Sequence, residues 1–85
     1  EGELLTELRR LSEEVTKRAP LLTWREVITL QLVAQGWKNR KIADKFSLAE
    51  QTIKNRLTII YQKVGVHTRT EAVARAVQEG LIELE

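Results

Sequence analysis

A chain of 85 residues, 42% of them hydrophobic and 31% charged, is long enough for one folded domain and too apolar for a disordered segment. It contains no cysteine, which excludes a disulfide framework and a thiolate metal site. No apolar run approaches the roughly 18 residues that a membrane span requires, and no secretory leader is visible. We therefore expect a cytoplasmic protein without membrane contact.

The net charge of +2 conceals an uneven distribution along the chain. Residues 37–63 contain seven basic residues against two acidic ones, Asp44 and Glu50, which gives this segment a net charge of +5. A basic centre of this kind is the electrostatic footprint of a protein that binds a polyanion.

An amphipathic helix is predicted over residues 3–18. Its apolar positions repeat with helical spacing: Leu4, Leu8, Leu11 and Val15. Pro20 is expected to end this helix because proline cannot continue the backbone hydrogen-bond ladder. The apolar stripe either packs on its own domain or pairs with a partner subunit or an upstream domain, and the sequence leaves both possibilities open.

A capping box of Thr23 and Glu26 predicts the start of a second helix, and Gly36 predicts its end. A short helix is expected over residues 39–46. Residues 47–49 then turn the chain into a longer helix, and this order of elements is typical of a helix-turn-helix.

The longer helix, predicted over residues 48–66, has two faces on a wheel of about 100° per residue. One face is apolar and should be buried: Ile53, Leu57, Ile60, Tyr61 and Val64. The opposite face carries one charge and no carboxylate: Gln51, Lys54, Asn55, Thr58 and Gln62. Lysine, asparagine, glutamine and threonine suit base edges in a major groove, although a solvated polar face alone would look the same.

A third stripe on this helix would flank a DNA groove where phosphates lie: Thr52, Arg56, Ile59 and Lys63. Ile59 is the exception among these side chains. Its side chain is either exposed to solvent only, in contact with a thymine methyl group, or part of a protein interface.

A second capping box, Thr68 with Glu71, opens a last helix that Gly80 closes. This helix carries a stripe of small and apolar residues: Val73, Ala76, Val77 and Gly80. The stripe is either core packing or a close two-fold contact between two subunits. Because no segment shows strand-like alternation, the sequence predicts an all-α fold.

The sequence gives little support for an enzymatic function. His67 is the only histidine and has no partners spaced for a metal site, and no Gly-rich phosphate loop is present. We therefore expect no metal, no cofactor and no catalytic residue. Trp24 and Trp37 are better explained as hydrophobic cover at helix starts than as base-stacking residues.

Residues 22–82 resemble the DNA-binding domain of the LuxR/FixJ type, also called GerE or NarL type. The matching residues lie at fixed spacing along all four helices: Leu22, Thr23, Arg25, Glu26, Leu30, Ala34, Gly36, Asn39, Ile42, Ala43, Thr52, Ile53, Lys54, Leu57, Ile60, Lys63, Val64, Gly65, Val66, Arg69, Glu71, Ala72, Gly80, Leu81 and Ile82. The resemblance implies a four-helix helix-turn-helix domain at 21–85, preceded by a linker helix at 1–20.

The same resemblance implies a sequence-specific effector domain of a bacterial transcription regulator, with recognition helix 49–64 in the major groove of double-stranded DNA. Base contacts would come from Gln51, Lys54, Asn55 and Thr58. Phosphate contacts would come from Lys38, Asn39, Arg40, Lys41, Thr52, Arg56 and Lys63. A homodimer would form through Val73, Ala76, Val77 and Gly80, and RNA polymerase is a possible partner. The alternatives are a sigma-factor-like promoter reader and a protein-interaction module without DNA binding.

The chain departs from the family pattern where helices begin. Lys38 and Lys41 stand where the family usually has a Ser–x–x–Glu capping box, and Ala49 stands where a capping serine usually precedes the recognition helix. Asn39 is expected to recover part of the first missing cap. Arg56 replaces a frequent histidine, and Thr29 occupies a normally apolar position.

Overall fold

The computed structural model describes residues 2–18 and 22–83, and five α-helices make up this part of the chain. They are α1 (Gly2–Arg18), α2 (Trp24–Ala34), α3 (Asn39–Phe46), α4 (Glu50–Val64) and α5 (Arg69–Gln78). The described residues contain no strand, and the predicted all-α class is confirmed. None of the five helices has the length and apolar character needed to cross a membrane. The predicted helix end at Pro20 falls outside the described residues.

Both predicted capping boxes are present. The Thr23 hydroxyl accepts a hydrogen bond from the Glu26 backbone N–H at 3.2 Å, and the Glu26 carboxylate accepts one from the Thr23 N–H at 2.8 Å. The same reciprocal pair joins Thr68 and Glu71 at the start of α5. Each box satisfies two N–H groups that a helix start otherwise leaves without partners, so these local signals fix where α2 and α5 begin.

Helices α2, α3, α4 and α5 share one apolar core. Its largest fully buried aliphatic side chains are Leu22, Ile28, Leu30, Leu32, Ile42, Ile53 and Ile60. Thr29, the polar residue at a normally apolar position, is also fully buried. Its hydroxyl donates to the Arg25 carbonyl at 2.9 Å, and a buried hydroxyl with a partner avoids most of the desolvation penalty.

The first helix packs on α2, so part of its apolar stripe lies against its own domain. Leu8 and Ser12 are buried, and the Arg9 guanidinium lies 4.7 Å from the centre of the Trp24 ring. Leu4 and Leu11 remain exposed. The position of the Val15 side chain is outside what the structure describes. The helix therefore docks on its own domain through one edge of the predicted stripe.

A tight turn sets the direction of α4. Ser47 has a φ of 57° in the left-handed region, its N–H donates to the Asp44 carbonyl at 3.2 Å, and the Leu48 N–H donates to the Ala43 carbonyl at 2.8 Å. Gly65, with a φ of 81°, ends α4, where a side chain would be strained. The helix is shorter at both ends than the predicted segment 48–66.

Candidate nucleic-acid interface

The two predicted faces of α4 are confirmed by burial. Ile53, Leu57, Ile60 and Val64 are buried in the core, and Tyr61 is half-buried beside them. The opposite face is exposed along its whole length: Gln51, Lys54, Asn55, Thr58 and Gln62. The core contacts of one face therefore hold the other face outward, so its side chains are free to contact a ligand.

Two hydrogen bonds order this exposed face. The Gln51 amide nitrogen donates to the Asn55 amide oxygen at 3.0 Å, one helical turn away. The Thr58 hydroxyl donates to the Lys54 carbonyl at 3.1 Å. The face presents amide donors and acceptors, a hydroxyl and one ammonium group, which match the donors and acceptors of base edges.

The Lys63 ammonium, which is predicted to contact phosphate, forms an ion pair within the domain. It contacts the Glu26 carboxylate of α2 at 2.8 and 3.0 Å, and Glu26 is only 8% exposed. Burial raises the pKa of Glu26, but the hydrogen bonds from Lys63 and the Thr23 N–H, with the lysine charge, outweigh it and lower the pKa. Lys63 thus joins α4 to α2 through an ion pair, and its charge is already compensated.

The start of α3 has no side-chain cap, as the sequence predicts. Lys38 occupies the cap position without a capping hydrogen bond, and both Lys38 and Arg40 are exposed. Asn39 does not recover the missing cap, because its amide oxygen accepts from the Arg69 guanidinium at 2.9 Å. Lys41 is exposed, and its ammonium lies 4.3 Å from the centre of the Trp37 ring.

The sequence did not predict the contacts of Arg69. Its guanidinium donates to both the Asn39 side chain and the Trp37 carbonyl, which ties the start of α5 to the start of α3. The only sequence signal was its match to the family pattern. Arg69 therefore ties the basic segment 38–41 to the start of α5.

The predicted stripe on α5 divides between core and surface. Ala76 is fully buried inside the domain, which favours core packing over a subunit contact at this position. Val73 is half-buried, whereas Val77 and Gly80 are exposed. The outward part of the stripe centres on Val77.

Both tryptophans lie against the core as half-buried side chains. Cations lie over both rings: Arg9 and Arg25 over Trp24, and Lys41 over Trp37. This environment favours the interpretation that the tryptophans cover helix starts, because partly buried rings with cations over them present little free face to a base.

A short supporting helix, a tight turn and a second helix with an exposed polar face define a helix-turn-helix domain. The family described as "Bacterial regulatory proteins, luxR family" (GerE) matches residues 20–76. The chain belongs to this family and is a DNA-binding helix-turn-helix domain of a transcription regulator.

Individual relatives agree with this assignment. The chain is 45% identical over 64 residues to the transcriptional regulatory protein YdfI of Bacillus subtilis (strain 168), covering 75% of this chain and 30% of YdfI. The structure of the transcription factor GerE superposes with a TM-score of 0.72 at 29% identity, covering 76% of this chain and 97% of GerE. The response regulator ChrA of a heme-sensing two-component system superposes with a TM-score of 0.70 at 39% identity, covering 79% of this chain and 35% of ChrA. The chain spans between 30% and 43% of the length of its first curated relatives.

Proposed function

We propose that this domain binds double-stranded DNA in a sequence-specific manner, with α4 in the major groove, as the effector domain of a bacterial transcription regulator. The observation that carries the proposal is the exposed face of α4, which has side chains suited to base edges, no carboxylate and a buried apolar face behind it. Gln51, Lys54, Asn55 and Thr58 contact base edges in this proposal. Such a protein works on the chromosome, so the proposal places it in the cytoplasm with RNA polymerase as a possible partner.

Phosphate contacts flank the reading face. Thr52 and Arg56 lie on the side of α4, and Lys38, Asn39, Arg40 and Lys41 lie at the start of α3. We leave Lys63 out of this set because Glu26 already neutralises its charge. We further propose that two copies pair through α5 around Val77, so that two recognition helices reach two half-sites on one side of the DNA.

Binding to duplex DNA is expected to weaken steeply with salt. If each subunit neutralises about four phosphates, the plot of log binding constant against log salt concentration should have a slope of about −4 per subunit. Fluorescence anisotropy with a labelled duplex over a salt series measures this slope. A slope near zero would contradict the electrostatic basis of the proposal.

The uncapped start of α3 is expected to be a phosphate site. Its unpaired N–H groups and partial positive charge attract an anion, and Lys38 and Lys41 add two cations there. Replacing Lys38 with serine and Lys41 with glutamate restores a capping box, so the free domain should gain about 1 kcal/mol of stability. The same variant should bind every duplex more weakly, with a salt slope shallower by about one. Thermal melting and a salt titration measure the two effects.

Ala49→Ser is the matched control for this variant. Ala49 occupies the N-cap position of α4 and makes no capping hydrogen bond through its side chain. Serine at this position therefore adds a cap without changing any charge. It should raise the melting temperature and leave the salt slope unchanged. A double lysine variant that is stabilised but binds DNA as the wild type does would contradict the phosphate site, and a destabilised one would contradict the capping argument.

A further inference from the structure

A concavity lies between the start of α2 and the flank of α4. Its volume is about 430 Å³, and Arg25 borders it on the α2 side while Thr52, Asn55 and Arg56 border it on the α4 side. Asn55 also belongs to the exposed face that we propose reads bases. The concavity is therefore continuous with the reading face and lies beside it, where the backbone of one DNA strand would pass.

The charge of this concavity is positive. Glu26 also borders it, but its carboxylate is almost fully buried and is held by Lys63 at 2.8 Å. The uncompensated charges on its two sides are therefore the guanidinium groups of Arg25 and Arg56. Two guanidinium groups and a threonine hydroxyl are suitable partners for a phosphodiester, because guanidinium binds phosphate oxygens in a bidentate manner.

The Arg25 guanidinium lies over the ring of Trp24. Its Cζ lies 4.4 Å from the centre of the Trp24 ring, and Arg9 of α1 lies 4.7 Å from the centre of the same ring. Stacking on an aromatic ring restricts the long arginine side chain, which reduces the entropy lost on binding. Trp24 thus connects the docked helix α1 to an arginine at the edge of the concavity.

We propose that Arg25 binds a phosphate of the DNA strand that borders the reading face, opposite Arg56, and that Trp24 is its positioning residue. The proposal rests on the proposed DNA-binding function and adds a contact from α2, outside the helix-turn-helix itself.

The test compares Arg25→Ala with Arg10→Ala by salt titration on a duplex that the domain selects and on a scrambled duplex. Arg10 is the matched control because it is an exposed arginine of α1 that pairs with Glu7 of its own helix at 3.7 Å. Arg25→Ala should make the log–log slope shallower by about 0.9 and should raise the dissociation constants of both duplexes by the same factor. Arg10→Ala should keep the wild-type slope.

The role of Trp24 is tested in the same assay by Trp24→Phe and Trp24→Ala, with circular dichroism confirming that each variant is folded at the assay temperature. Phenylalanine keeps an aromatic face for Arg25 and should bind DNA much as the wild type does. In the Trp24→Ala background, Arg25→Ala should change the dissociation constant less than it does in the wild type, because Arg25 is no longer positioned.

The outcomes separate this proposal from the one on which it rests. If the wild type binds duplex DNA with a steep salt dependence but Arg25→Ala has the slope of Arg10→Ala, the phosphate contact of Arg25 is refuted while the DNA-binding function stands. An equal effect of Arg25→Ala with and without Trp24 refutes the positioning role. If the wild type shows no salt-dependent binding to any duplex, the proposed function itself fails.

Discussion

Replacing Lys54 or Asn55 with alanine is expected to remove about 1–3 kcal/mol of discrimination between a preferred duplex and one with a changed base pair. Both side chains are exposed on the face of α4 opposite the core, so neither contributes to core packing. The loss should therefore appear in specificity and leave the melting temperature nearly unchanged. Competition binding with a panel of single-base-pair variants measures it.

Arg56→Ala is the comparison for these two variants. Arg56 lies on the flank of the same helix, so its loss should weaken binding to all duplexes by about the same factor. A relaxed specificity for Arg56→Ala together with an unchanged specificity for Lys54→Ala would mean that α4 is rotated in the groove relative to this assignment.

Replacing Val77 with aspartate is expected to abolish cooperative binding to a site with two half-sites about one helical turn apart. Val77 is exposed, so a carboxylate there keeps its water in the free domain. In a two-fold contact through α5 the same carboxylate would be buried without a partner, which is strongly unfavourable. Gel-shift titrations on one-half-site and two-half-site duplexes measure the loss.

Ala76→Asp provides a matched control one residue away. Ala76 is fully buried, so a carboxylate at this position should unfold the domain and remove the melting transition. Val77→Asp should keep that transition. If Val77→Asp also lost the melting transition, Val77 would belong to the core. If the folded Val77→Asp variant still bound two half-sites cooperatively, the proposed α5 contact would be wrong.

Local patterns predicted most of the fold. The alternation of apolar and polar positions along α4 depends only on helical geometry and on the presence of a core, so the buried and exposed faces followed from the sequence. The capping boxes at Thr23 and Thr68 depend on residues three positions apart, and both form as predicted. Where structure is decided within one turn of a helix, the sequence contains the necessary information.

Contacts between helices were not predictable in the same way. Lys63 has a long side chain that reaches a carboxylate on α2, 37 positions away, and only the packing of α2 on α4 brings the two groups together. Likewise, whether Ala76 or Val77 faces outward depends on the rotation of α5 on the core. Asn39 has a short side chain that suits a cap, but Arg69, 30 positions away, takes its amide oxygen.

The backbone at Ser47 illustrates a further limit. Residues 47–49 were predicted as a turn, but the left-handed conformation falls on serine, whereas glycine usually occupies such positions. The four glycines therefore gave no indication of the conformation that directs α3 into α4.

The exposed face of α4 is proposed to read DNA sequence. The most direct measurement of this reading is the ratio of dissociation constants for a duplex selected from genomic fragments and a scrambled duplex of equal length, at one fixed salt concentration. The wild type should bind the selected duplex more tightly by a factor of at least about 10³, and Lys54→Ala should reduce that factor by about 5-fold to 150-fold. A wild-type ratio near one, or a ratio that Lys54→Ala leaves unchanged, would contradict the claim.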